Sequence, residues 1–115
     1  MQVQQTDTIL STIKDALHVY SECFDTDLVI HANNAFFTLL QLGVIDKQFQ
    51  LLTGAETWED LSYFPDTRLA EIAYYLCIRV RYLFDPPQSG AAHNALKESI
   101  AEAEWRMNVF AEEVE

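Results

Sequence analysis

Positive charge is scarce in this chain: seven Lys and Arg stand against eighteen Asp and Glu, a formal net charge of −11. No basic cluster exists that could displace counterions from a nucleic-acid backbone, so tight binding to DNA or RNA is not expected. Glycine and proline are scarce too, three of each, and no low-complexity run or internal repeat is present. With half of the residues hydrophobic, that composition excludes a disordered chain and predicts a folded one. Long apolar runs are missing. None approaches the roughly 20 residues needed to cross a bilayer, so no membrane association is expected. The opening MQVQQTDTIL has neither the basic start nor the apolar middle of a secretory signal, which predicts a soluble protein not exported by that route. Cys23 and Cys77 are far apart, without CxxC or Cys/His ligand spacing, and read as two reduced, structural thiols in a cytoplasm-like compartment.

Catalytic signatures are missing as well. The chain has no GxSxG, Gly-rich phosphate loop, HExxH or EF-hand pattern. His18, His31 and His93 are scattered, and no carboxylate partner for His31 is identifiable beyond Asp27, four residues before it, so neither a metal site nor a general base is expected. Asp25 and Asp27 stand where a helix N-terminus favours negative side chains, a simpler reading than paired catalytic carboxylates. The expectation is a protein that is not an enzyme and holds no cofactor.

Helical periodicity is what the chain does contain. At 115 residues it can remove about two-thirds of its unfolded surface from water, enough for one all-α domain over residues 1–115. Ile9, Leu10, Ile13, Leu17 and Tyr20 predict a first amphipathic helix over 7–20, capped by Thr6 or Asp7. A second helix is predicted from an Asp25/Thr26 cap to Gly43. It is apolar around most of its circumference, leaving a narrow polar stripe of His31, Asn34, Thr38 and Gln41, which predicts the central helix. VIDKQFQLLTGAE loses the period and reads as the longer loop, with room for a short hairpin. TWEDL restarts a helical turn, with Thr57 as N-cap and Asp60 three residues on, and Pro65 ends it. Over 66–84, Leu69, Ile72, Ala73, Leu76, Val80 and Leu83 form one arc, with Tyr74, Tyr75, Ile78, Arg81 and Tyr82 opposite. Asp85, Pro86 and Pro87 then force the chain out of the helix, and Phe84 to Pro87 make a rigid corner. Ser89 can cap a last helix whose seam is Ala92, Leu96, Ile100, Ala103, Met107, Phe110 and Val114. The result is a small bundle of four to five helices.

Two features do not fit that bundle alone. Trp105 falls about 180° from the seam, in company with Ala101 and Val109. Tyr74, Tyr75, Arg81 and Tyr82 put interface-type residues on an arc that would be charged if it merely faced water. These residues, with Arg106 and Val109, are the candidate contact positions. Glu98, Glu102, Glu104, Glu112, Glu113 and Glu115 read as a solvated acidic face.

The order and spacing of FDTD, NxAFFTLLQLGV, TWEDL, RYLFDPP and EAEWRMN, running from Phe24 to Asn108, resemble the small head-tail connector (adaptor) proteins of tailed bacteriophages. The resemblance implies an all-helical virion subunit of the neck, present in the host cytoplasm during assembly. It further implies a homo-oligomeric ring of about a dozen copies beneath the portal protein. Such a ring extends the channel for passing DNA without binding it tightly, and offers a dock for a stopper or tail-side completion protein. Carried onto this chain, the helix over 66–84, the FDPP corner and Glu104, Trp105 and Arg106 are scaffold and subunit-contact pieces. The loop over 44–56 and the tail after Asn108 are axial ones. The rival reading is an acidic phage-encoded binding module, a DNA mimic or inhibitor of a host protein, which would need carboxylates in rows over a large face.

Overall fold

Thr8, rather than Thr6 or Asp7, starts the first helix of the computed structural model. Its hydroxyl accepts the Ser11 N–H at 3.0 Å, satisfying one of the free donors of the first turn. Residue 4, residues 6–61 and residues 64–114 are described, the side chains of residues 66, 110 and 112–114 apart. The first helix, α1 (Ile9–Leu17), ends three residues before the expected limit because His18 turns into the left-handed region at φ 58. Tyr20 therefore leaves the buried stripe and stands 71% exposed.

A 3-10 turn, Glu22–Phe24, runs directly into α2 (Asp25–Gln41), so no Asp25 or Thr26 side chain caps that helix. Asp25 and Asp27 lie in its first turn, where the helix dipole favours them. Lys14 Nζ sits 2.7 Å from Asp25 Oδ1 and ties α1 to the start of α2. Gly43, at φ 80, supplies the expected left-handed stop.

The loop after α2 forms no hairpin. Among the described residues the one extended pairing is an isolated antiparallel bridge between Thr8 and Thr57. Side chains satisfy the loop backbone instead. Asn33 donates to Leu51 O at 3.0 Å and accepts the Leu51 N–H at 2.7 Å. The Glu56 carboxylate accepts the N–H groups of Leu52, Thr53 and Gly54 at 2.8, 3.1 and 2.9 Å. Burial pushes the Glu56 pKa up, but these backbone donors outweigh it and hold the carboxyl below its ordinary value. Gly54 needs its φ of 86, and a Cβ there would stand 3.2 Å from Leu10 Cδ2. The TWEDL segment closes as a 3-10 turn, Trp58–Leu61, with Asp60 Oδ2 accepting the Thr57 N–H at 3.1 Å. Trp58 is wholly buried, and its indole N–H donates to Thr12 Oγ1 at 2.9 Å.

The helix α3 (Asp66–Phe84) packs against α1, α2 and α4 (Gly90–Val114), and it is this helix, not α2, that is central. Leu69, Ile72, Ala73, Tyr75, Leu76, Cys77 and Val80 are all buried along it. Leu83, placed on the buried arc by its spacing, is 39% exposed in the last turn. At the corner Asp85 leaves helical geometry (φ −146, ψ 70), and the Ser89 hydroxyl accepts the Ala92 N–H at 3.4 Å to start α4. Ile100 and Met107 bring α4 to the core, Leu96 and Ala103 pack partly against it, and Ala92 is exposed. The seam's Phe110 and Val114 lie outside the described side chains.

Candidate subunit-contact surface

Polar groups lock the helices where the surface residues are carried. Glu104 Oε2 of α4 accepts the Tyr75 hydroxyl at 2.6 Å and lies 2.8 Å from Arg79 Nη1, both on α3. Arg79 Nη2 donates to Asn34 Oδ1 of α2 at 3.2 Å, so one guanidinium spans three helices. Beyond it, Asn108 donates to the Leu42 carbonyl at 2.9 Å and covers the end of α2.

This lock corrects two sequence readings. Tyr75 has no exposed surface and is a core residue, not a contact residue. Its place on the arc opposite Leu69, Ile72 and Leu76 misled because a Tyr beside that seam turns inward once a second helix with an acceptor packs over it. Burial, reinforced by the Glu104 hydrogen bond and opposed by Arg79, raises the Tyr75 pKa. Glu104, for its part, belongs to an interhelical ion pair and not to a freely solvated acidic face.

The other candidate positions divide. Tyr74 and Arg106 line one groove between α3 and α4, together with Ala70, Glu71, Ala103 and Met107. Trp105 is 67% exposed on the outer side of α4, next to Arg106, which pairs with Glu102. Arg81 is exposed, while Val109 is half-buried. Tyr82 is half-buried with its ring 5.2 Å from that of His93, and so belongs to the corner rather than to the Tyr74 groove.

The corner itself is anchored. The Phe84 ring meets Phe24 edge-on at 5.4 Å and lies 6.4 Å from His31, which pins the end of α3 against the start of α2. Asp85 and Pro86 face solvent and Pro87 is half-buried. Cys77 is buried, which pushes its thiol pKa up to about 11, and Cys23 is exposed; neither is in a disulfide. Among the described residues no group of three or more His, Cys, Asp or Glu could hold a metal ion, and no helix is long and apolar enough to cross a membrane.

The family model for phage connector proteins matches residues 9–114, nearly the whole chain. The chain belongs to the phage connector protein family. No curated protein and no solved structure matches it. Phage connectors are a structural family whose members associate with other virion proteins, so the exposed surfaces are the features of interest.

One such surface was not anticipated from the sequence of this connector. Ile30 and Phe37 are 58% and 53% exposed on α2, directly opposite the buried Leu28, Ala32, Ala35 and Leu39. A groove beside Phe37 is lined by Asn33, Leu40, Gln48, Phe49 and Gln50. The signal was the nearly uniform apolarity of the helix, which also describes one face buried in the chain and another left for a partner.

Proposed function

We infer that this connector works as a ring-forming neck subunit: it assembles in about a dozen copies under the portal, extends the DNA channel, and docks the stopper or tail-side protein. The family match over residues 9–114 carries the reading. Large apolar side chains left outside, Trp105, Phe37 and Ile30 foremost, support it, because such residues on an otherwise packed helical chain mark protein contacts. In this reading Tyr74, Arg81, Tyr82, Trp105, Arg106 and Val109 are subunit-contact positions. The corner at Phe84–Pro87 sets the angle between the two long helices, and the loop over 44–56 and the chain after Asn108 make axial contacts. The function is mechanical and needs no catalysis. A net charge of −11 suits a channel wall past which DNA must slide, since like charge offers the phosphates no holding site.

The test is binding. Purified chain should associate with its phage's isolated portal assembly in sedimentation and show no retention of duplex DNA at physiological salt. Tight, salt-sensitive DNA binding, or indifference to the portal, would overturn the reading.

A further inference from the structure

Trp105 and the groove between α3 and α4 lie on opposite sides of one helix and at one height. Ala103 and Met107, which line the groove, stand two residues before and after Trp105, so each is turned about 160° from it and lies about 3 Å from it along the axis. Tyr74 of α3, 46% exposed, forms the other wall. The groove holds about 270 Å³, more than the ~150 Å³ in which an engineered cavity holds a benzene, so an indole ring fits its size. A knob and a hollow on opposite faces of one helix suit a chain that repeats side by side.

The two helices run antiparallel in a fixed register. Tyr75 meets Glu104 at 2.6 Å, and Arg79 and Ile100 share the lining of a second groove. That register sets Tyr74 level with Trp105 and, seven residues or about 10 Å away along both helices, Arg81 level with Glu98. Arg81 therefore lies on the line of Tyr74 and Glu98 on the line of Trp105, both exposed. Neither has an ion-pair partner among the described residues, whereas the charges beside the groove and the indole are matched within the chain, Glu71 with Arg68 and Glu102 with Arg106. Asp85 and Glu71, the acids at either end of that α3 face, come level with Asn94 and Asn108 and not with acids.

We propose that the groove walled by Tyr74, Ala103 and Met107 receives Trp105 of a second copy of this chain, with Glu98 of that copy set against Arg81. This contact rests on the ring reading above and specifies the two surfaces that meet. With both partners at one height it has no rise along α4, so its repetition closes into a ring instead of climbing as a filament. The aromatic contact buries area at each junction, and the charge pair fixes its register.

The experiment reverses charges in the full-length chain and follows self-association by sedimentation, with and without the isolated portal assembly. Arg81→Glu and Glu98→Arg should each weaken association about fivefold, and the two together should restore it. General repulsion alone would act in opposite directions, since Arg81→Glu raises the net negative charge and Glu98→Arg lowers it. Separately, Ala103→Phe fills the groove from within and should weaken association about thirtyfold. Reversals that act in opposite directions, that have no effect or whose losses add in the double variant overturn this contact and leave the ring reading standing, as does Ala103→Phe assembling like the unaltered chain. An unaltered chain that stays monomeric at every concentration, with and without the portal assembly, overturns both.

Discussion

The two longest helices are held in contrasting ways. Over nineteen residues α3 buries seven apolar or aromatic side chains from Leu69 to Val80, with neighbours on three sides. Over twenty-five residues α4 buries only Ile100 and Met107 fully, among its described side chains, and relies on Glu104 and Asn108 for its remaining fixed points. Length and helix propensity say little about how much an element contributes to the core; the number of sides on which it is covered says more. The loosely covered helix is also the one free to display Trp105.

The largest effect expected of a single change lies in α3. Leu76→Ala removes a fully buried side chain and should lower the stability to unfolding by about 2–5 kcal/mol in denaturant titration. A loss under 1 kcal/mol, the size expected of a half-covered position, would erase the distinction between the helices.

Next comes the lock between them. Glu104→Ala leaves the Tyr75 hydroxyl and the Arg79 guanidinium without their shared acceptor, and should cost roughly 1–3 kcal/mol. Hydrogen exchange should show α4 opening more often while α1–α3 keep their protection. Uniform loss of protection would mean that α4 is as integral to the core as α3.

Alkaline titration probes the same seam. Tyr75 and Cys77 both have raised pKa values in the fold, so each is held neutral there while the unfolded chain ionises first. Their contribution is complete below the unfolded values and is lost as pH rises, for Cys77 between its ordinary 9.0 and about 11. Melting temperature should therefore fall from about pH 9 upward, and Cys77→Ala should shallow that fall. A flat profile to pH 11 would contradict the burial of both groups.

Trp105→Ala is the smallest expected change in stability, within about 0.5 kcal/mol, because the side chain is mostly exposed. Association with other copies or with the portal should nonetheless weaken by about 2 kcal/mol or more. Calorimetry on the isolated chain and sedimentation of the mixture separate the two quantities, and a large drop in stability would return Trp105 to the core.

Residue types alone determined a good deal about this connector. Helical spacing placed α2, α3 and α4 within a few residues, since a period of 3.6 follows from backbone geometry and needs no partner. Pro86 and Pro87 marked the corner because a missing donor and a clash act locally. The off-seam placement of Trp105 followed from the same wheel. Only the tertiary structure decided which helix is central, because that depends on what covers each face. Thus Tyr75, read as a contact residue, became buried once Glu104 of α4 offered its hydroxyl an acceptor that the sequence of α3 does not describe. The loop over 44–56 was satisfied by Asn33 and Glu56 side chains in place of a hairpin, a choice made by groups brought close only on folding. Local rules act through neighbours in the chain and are legible from it, whereas burial is a property of the whole assembly of helices, and that is why the outward face of α2 emerged only when α3 took the centre.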